Sequence, residues 1–226
     1  MAAKKWRKPL FCVVPEETRL LPEKSMLSAR RETSHRKHST GAAHDEEAGS
    51  MLIRNATALL GGRFCPGTEL RLMHGAVREI GCGLIKGLYE SELDLAGDYL
   101  LPGLVAVCRN CSAEELPALA RRLYREGVAA IVTDTSLPRI RLTRRAALLL
   151  HGDASALDRL PPQQPLQELI RRGLSPVDAA LLLTRLPAEA AGQRLLGRLT
   201  AGAPEPLTRW GRDWQLKAVL DQHAAD

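Results

Sequence analysis

The sequence is poor in aromatic residues, and it contains no long apolar run. Phe, Trp and Tyr make up 4% of the 226 residues, so aliphatic side chains must fill any hydrophobic core. No uninterrupted apolar stretch approaches the roughly 20 residues that a membrane-spanning helix needs, and we therefore predict no membrane association. The five cysteines are an odd number without a secretory signal, which predicts reduced thiols and a cytoplasmic protein.

A strong charge of one sign is also missing. The net charge is +6, and the excess of Lys and Arg over Asp and Glu is divided evenly between residues 1–50 and residues 51–226. The larger part of the chain is therefore only mildly basic, whereas a nucleic-acid surface usually needs a concentrated basic patch. We do not predict nucleic-acid binding for this part.

Residues 1–50 lack any sustained hydrophobic period. They combine basic clusters, several prolines and an acidic run at Asp45–Glu47, so too little apolar surface is available to offset the entropy of ordering. We predict a disordered tail over residues 1–50, or a start of translation at Met51. An organelle presequence or a nucleic-acid-binding tail stays open, although acidic residues are unusual in a presequence.

Residues 51–100 alternate between apolar and polar positions, as half-buried β-strands do. A strand is predicted over Leu52–Leu60. Glu69–Met73 and Ala76–Ile80 are predicted to form a hairpin whose turn is His74-Gly75.

The next segment predicts a strand–helix–strand unit. Leu104–Val107 is a continuous apolar run, which is typical of a strand buried on both faces. Ser112 is the predicted N-cap of a helix that ends at Gly127, and Val128–Val132 is a second buried strand. Strand, helix and strand in this order form a right-handed parallel unit.

The C-terminal part is predicted mainly as helices. The apolar run at 142–150 is compatible with a helix or a strand. Helices are predicted over Leu166–Gly173 and from an N-cap at Ser175 to Thr184. Trp214–Leu220 alternates again and is predicted as a strand.

The run LDLAGDYLLPGLVAVCRN at Leu93–Asn110 resembles the first part of the metal-dependent amidohydrolase superfamily. In that family a small β-domain leads through Leu-Pro-Gly-Leu-Val into the first strand of a (β/α)8 barrel. Two later motifs are similar, in this order, to the family's closing segments: Gly-Leu-Ser at 173–175 and Gly-x-Leu-x-x-Gly at 197–202. The resemblance covers residues 51–140 and about 165–222. N-acetylglucosamine-6-phosphate deacetylase-like proteins are the first subfamily we name, and dihydroorotase-like or other amidohydrolases are alternatives because they share the closing segments.

The resemblance implies an α/β fold, but the chain is too short to form the family's complete barrel. A full barrel needs about 250 residues, and the space between Leu101 and Gly192 suffices for about three βα units. We therefore predict a small β-domain built from residues 51–100 and 195–226, together with a truncated, incomplete (β/α) TIM-barrel-like part at 101–194. The missing strands would leave a sheet edge exposed, so self-association through this edge is expected.

The resemblance also implies where a catalytic metal would bind. In the family the first barrel strand ends in Asp-x-His-x-His, and the two histidines hold a divalent ion such as zinc. The corresponding residues here are Ala106, Cys108 and Asn110, so the metal positions are degenerate at Cys108 and Asn110. We therefore predict that metal-dependent deacetylase activity of the family's kind is absent, and we assign no cofactor.

Four further residues are secondary candidates. Cys111 and Cys108 have the spacing Cys-x-x-Cys. Three interpretations of this pair are open: half of a structural zinc site, a redox pair, or two thiols that are close by chance. His151 and Asp153 are compatible with a general base and its orienting carboxylate, or with a polar turn. Asp134 follows the second buried strand and is another candidate acid or base.

Functions from three classes are compatible with these residues. The first is an amidohydrolase-family protein that no longer hydrolyses the C–N bond of N-acetylated amino sugar phosphates. The second is an active hydrolase with substitute ligands among Cys108, Asn110, His151 and Asp153. The third is a binding or assembly module without enzymatic activity, whose exposed sheet pairs with another chain.

Overall fold

The computed structural model describes residues 50–135, 137, 145–160 and 164–221. The predicted tail, apart from Ser50, and the first part of the apolar run at 142–150 lie outside the described residues.

The described residues form a mixed α/β fold with two sheets and a few short helices. The strands are β1 (Ser50–Leu60), β2 (Arg63–Met73), β3 (Ala76–Gly81), β4 (Ser91–Asp94), β5 (Tyr99–Pro102), β6 (Leu104–Cys108), β7 (Val128–Thr133), β8 (Leu148–His151), β9 (Leu207–Trp210) and β10 (Leu216–Leu220). The helices are α1 (Leu116–Arg125), α2 (Ala154–Asp158), α3 (Leu166–Arg171), α4 (Pro176–Leu183) and α5 (Arg185–Ala190). None of these helices is long and apolar enough to cross a membrane.

The larger sheet has seven strands in the order β10-β9-β5-β1-β2-β3, and β4 also pairs with β1. β1, β2 and β3 form an antiparallel meander. The turn between β2 and β3 is the predicted one, with φ of 54° at His74 and 76° at Gly75. Two consecutive positive φ angles are what a tight hairpin turn of this hand requires, so the sequence prediction of this hairpin is confirmed.

Strands from both ends of the described region lie in this one sheet. β5 is parallel to β1, and β9 is antiparallel to β5. Ile53, Leu100, Leu207 and Leu220 are buried together in the core on one face. This agrees with the prediction that the N-terminal and C-terminal strands share a sheet, although no sequence pattern predicts β9.

A buried carboxylate ties the C-terminal hairpin to β5. Asp98 accepts a hydrogen bond from Arg209 Nε at 2.7 Å and two from Lys217 Nζ at 2.9 and 3.0 Å. Burial alone would raise the pKa of Asp98, but the hydrogen bonds from Lys217 and Arg209 outweigh it and hold that pKa below its usual value of 3.8.

We expect Asp98→Asn to lower the free energy of unfolding by about 1.5–3 kcal/mol at pH 7, because hydrogen bonds to a charged group contribute about this much. A depressed folded-state pKa stabilises the protein above the unfolded pKa, and this stabilisation disappears as the pH falls through the folded pKa. Urea unfolding should therefore show a gap between wild type and variant that closes below about pH 3.8.

The matched control is Asp158→Asn. The Asp158 side chain is 74% exposed and lies 3.8 Å from Arg109 Nε, so its removal should change stability by less than about 0.5 kcal/mol. A gap between wild type and Asp98→Asn that is constant from pH 7 to pH 3 would contradict the assignment.

The smaller sheet contains three parallel strands in the order β6-β7-β8, with α1 connecting β6 to β7. All six residues of β7 are buried. Ile131 packs with Ala120 of α1, and Val132 packs with Leu157 of α2 and Ala188 of α5. The predicted parallel strand–helix–strand unit is therefore present, and helices cover β7 on both faces.

The predicted start of α1 is wrong by three residues. Glu115, not Ser112, is the N-cap, and no side chain caps the helix. The Ser112 carbonyl instead accepts hydrogen bonds from the amides of Glu115 and Leu116 in a preceding turn. Pro117 lies at the start of the helix, and the fixed φ of proline favours the first helical turn there. By contrast, Ser175 caps α4 as predicted, because its hydroxyl accepts from the Asp178 amide at 3.1 Å.

Candidate functional site

The carboxyl ends of the three parallel strands meet at one edge of the smaller sheet. Cys108 of β6 is in register with Thr133 of β7, which is in register with His151 of β8. This edge therefore collects the residues that the sequence singled out, and we call it the carboxyl edge. In parallel α/β sheets, binding and catalytic residues commonly lie at this end of the strands.

Cys108 and Cys111 are joined by a disulfide, with their Cα atoms 5.9 Å apart. The prediction of reduced thiols is therefore wrong for this pair, whereas Cys65 and Cys82 are thiols. The physical reason is the backbone between the two cysteines. Asn110 has a φ of 55°, a left-handed conformation that asparagine tolerates better than most residues, and it turns the chain back toward β6.

The loops that follow β6 and β7 are connected by hydrogen bonds. The main-chain amide of Asn110 donates to Asp134 Oδ1 at 3.2 Å, and Thr135 Oγ1 donates to the Cys111 carbonyl at 2.8 Å. Asp134 thus lies beside the cysteine loop, but its described contact is structural. The sequence prediction of Asp134 as an acid or base remains a prediction.

Arg109 connects the same loop to the residues that follow β8. Its guanidinium donates to the carbonyl oxygens of Leu157 and Leu160, the latter at 3.0 Å. All three loops at the carboxyl edge are therefore linked through main-chain and side-chain hydrogen bonds.

His151 and Asp153 lie at this edge but in different roles. Asp153 is the N-cap of α2, and its carboxylate accepts hydrogen bonds from Ser155 Oγ and from the Ala156 amide. These two hydrogen bonds lower the pKa of Asp153, and the bond from the Ser155 hydroxyl has the larger effect. His151 is exposed at the end of β8. The carboxylate predicted to orient this histidine is thus engaged in capping a helix, which favours the polar-turn interpretation.

The residues at the carboxyl edge do not fit the divalent metal that the resemblance implies. The sulfurs of Cys108 and Cys111 are bonded to each other, and a metal requires free thiolates. In the part of the chain that the structure describes, no group of three or more His, Cys, Asp or Glu side chains is arranged to hold a metal ion. The described residues of the carboxyl edge therefore do not supply the ligand set that a catalytic zinc ion needs.

A large cleft lies beside β6. Its volume is about 750 Å³, and it is lined by residues that include Leu104, Cys108, Arg122, Glu126, Trp210 and Trp214. Cys108 is the residue that connects this cleft to the carboxyl edge. The lining comes from segments far apart in the chain, so no local sequence pattern could reveal it.

Trp214, which lines the cleft, belongs to an aromatic cluster. Trp214 stacks on Tyr99 with ring centroids 4.2 Å apart, and Phe64 lies 4.9 Å from Tyr99. The sequence pattern predicts Trp214 as the first residue of a strand, but it lies in the turn before β10 with a φ of 61°. Trp214 fits the alternating pattern of 214–220 although it is a turn residue, and the strand itself begins at Leu216. The strand prediction is therefore wrong for the residues before Leu216.

The large sheet with a smaller parallel β/α layer is a fold that the chain shares in part with solved structures. No family model and no curated protein matches the sequence. Among solved structures, the chain is similar to the beta-aspartyl dipeptidase of thermophilic keratin-degrading Fervidobacterium islandicum AW-1, with a TM-score of 0.52 and 9% identity over 76% of this chain and 95% of that chain.

Two further solved structures align less closely. The N-acetylglucosamine-6-phosphate deacetylase from Pasteurella multocida has a TM-score of 0.48 and 8% identity over 76% of this chain and 98% of that one. An amidohydrolase has a TM-score of 0.37 and 19% identity over 46% of this chain, which spans 31% of that protein's length. At these identities the likeness concerns the fold alone.

Proposed function

We propose that this protein is an amidohydrolase-type domain with a truncated barrel, related to N-acetylglucosamine-6-phosphate deacetylase-like proteins, that does not hydrolyse C–N bonds. The junction between the two sheets supports the relationship. Gly103, the glycine of the Leu-Pro-Gly-Leu-Val run, lies where a Cβ atom would be 2.5 Å from Ala129 Cβ and 2.6 Å from the Pro206 carbonyl oxygen. This glycine has a packing role at the junction where the family enters its barrel.

The smaller sheet supports the truncated-barrel part of the proposal. Three parallel strands with α1 packed on β7 are the arrangement expected of the first units of a β/α barrel. Closing a barrel takes about eight such strands, and the described sheet has three.

The single observation that carries the loss of catalysis is the disulfide at the end of β6. In the family, the positions of Cys108 and Asn110 hold metal-binding histidines. Here the Cys108 sulfur is bonded to Cys111, and the amide side chain of Asn110 is a poor ligand for zinc. Without a metal-bound water, the family's route to amide hydrolysis has no nucleophile.

The test is to purify the protein from zinc-supplemented cells, to measure bound metal, and to assay deacetylation of N-acetylated amino sugar phosphates before and after reduction. We expect zinc well below one equivalent and no turnover above the buffer rate. Stoichiometric zinc with turnover that Cys108→Ala abolishes would contradict the proposal. Cys82→Ala, which changes an exposed thiol, is the matched control and should alter neither value.

The first alternative is an active hydrolase with substitute ligands. Its supporting observation is the position of two residues at the carboxyl edge. Cys108 is the last residue of β6, exposed His151 is the last residue of β8, and both are in register with Thr133 of β7. In the same assay, this alternative requires that His151→Ala removes both the metal and the turnover.

The second alternative is a binding or assembly module that self-associates through the smaller sheet. Its supporting observation is Leu148 on β8, which is 50% exposed although it lies in an apolar strand. β8 is at one end of the described three-stranded sheet, and exposed strand edges favour pairing with another chain. Light scattering at tens of micromolar distinguishes an assembly from a monomer.

A further inference from the structure

We propose that Cys108 and Cys111 are a reversible thiol–disulfide exchange site, which low-molecular-weight dithiols reduce and their disulfides reoxidise. The proposal concerns the same two sulfurs on which the proposed loss of catalysis rests, but its test scores only their redox state and so gives its result whatever the deacetylation assay shows.

The separation of the two cysteines along the backbone is compatible with a disulfide. Their Cα atoms are 5.9 Å apart, within the usual range of about 4.4–6.8 Å. Only Arg109 and Asn110 separate them, and the left-handed φ of Asn110 brings Cys111 back toward β6. The Cys-x-x-Cys spacing is also the spacing of many dithiol redox sites.

The loop is held in this shape by contacts that do not involve sulfur. The main-chain amide of Asn110 is hydrogen-bonded to the Asp134 carboxylate, and the Cys111 carbonyl is hydrogen-bonded to the Thr135 hydroxyl. Arg109 is anchored on the carbonyl groups of Leu157 and Leu160. These bonds keep the two thiols close after reduction, and groups held close together react much faster than separate molecules.

Both sulfur-bearing residues are reachable by a small reagent. Cys108 and Cys111 are each partly exposed, whereas Cys65 is buried. Cys108 also lines the cleft beside β6, so a reagent of a few atoms has space next to this residue. Thiol–disulfide exchange requires such access, because a thiolate must reach one of the bonded sulfurs.

The exchange balances in two steps. One thiolate of the dithiol attacks a sulfur of the Cys108–Cys111 bond, which breaks, and the other cysteine leaves as a thiolate. The second thiol of the reagent then attacks the mixed disulfide and displaces the first cysteine. Two electrons and two protons pass to the protein, which ends with two thiols, while the reagent becomes a cyclic disulfide. Oxidation follows the same steps in reverse.

The experiment equilibrates the full-length protein in buffers of graded dithiothreitol and its cyclic disulfide, traps thiols with iodoacetamide, and maps them by peptide mass. We expect Cys108 and Cys111 to change together from unlabelled to fully labelled across one transition. Returning the reduced protein to the oxidising buffer should restore the unlabelled state.

Variants separate this pair from the other cysteines. Cys108→Ser should leave Cys111 labelled in every buffer, and Cys82→Ser, the matched control, should leave the transition unchanged. The wild-type titration does not depend on either variant folding.

Two results would overturn the proposal. One is labelling of Cys108 and Cys111 even in the fully oxidising buffer, which would mean that no disulfide forms. The other is a disulfide that stays unlabelled in excess dithiothreitol until the protein is denatured, which would make it a structural bond that does not exchange.

Discussion

A chain that lacks residues 208–226 is expected to lose amide protection throughout β1 and β2, although neither strand is touched by the deletion. The deletion removes β10 and most of β9, and with them the antiparallel partner of β5. It also removes Trp210, which packs with Leu59 and Leu101, and Leu220, which packs with Ile53 and Leu100.

The magnitude follows from these two side chains. Loss of a buried Leu costs about 2–5 kcal/mol and loss of a buried Trp about 3–5 kcal/mol. Together they approach the total stability of a typical domain, which is about 5–15 kcal/mol. Hydrogen exchange with mass spectrometry should therefore show exchange in β1 and β2 that is close to the unfolded rate.

The control is a chain that ends after Asp221, which retains β9 and β10 and should keep wild-type protection. If β1 and β2 of the shorter chain also remain protected, the N-terminal meander is stable by itself, and the shared sheet is not needed for its folding.

Gly103→Ala is expected to lower the free energy of unfolding by about 3 kcal/mol. The new methyl group would lie 2.6 Å from the Pro206 carbonyl oxygen and 2.5 Å from Ala129 Cβ. Overfilling a packed site costs about 1–3 kcal/mol, and we expect the upper end because a backbone oxygen cannot rotate away. The midpoint of urea unfolding measures the change.

Two variants make this test specific. Gly87→Ala places a methyl group 3.6 Å from Glu90 Cβ, an ordinary contact distance, and should leave the midpoint almost unchanged. Ala129→Gly in the Gly103→Ala background removes one of the two close contacts and should restore part of the loss. An unchanged midpoint for Gly103→Ala alone would contradict the close packing of the two sheets at this glycine.

Features encoded within a few residues could be predicted from the sequence. The His74-Gly75 turn, the Ser175 cap and the buried strands at β6 and β7 each depend on neighbours in the chain, such as alternating apolar residues or a hydroxyl three positions before an amide. The parallel pairing of β6 and β7 could also be predicted, because the handedness of a strand–helix–strand unit is nearly fixed.

Features that depend on distant segments could not be predicted. β9 has four residues, two of which are Thr208 and Arg209, so its sequence pattern is too short to stand out. The Cys-x-x-Cys pair at 108–111 is visible in the sequence, but its disulfide depends on the positive φ of Asn110, whose main-chain amide is hydrogen-bonded to Asp134 in the loop after β7. The cleft beside β6 exists only where α1 and the β9–β10 turn come together.

The order of strands in the larger sheet has a consequence during synthesis of the protein. β5 pairs on one side with β1, which emerges from the ribosome before it, and on the other with β9, which follows roughly 100 residues later. At about 5–20 residues per second, this edge of β5 waits roughly 5–20 s for its partner. During that interval the nascent chain exposes an unpaired strand edge and the apolar side chains that β9 later covers, and such surfaces are prone to aggregation.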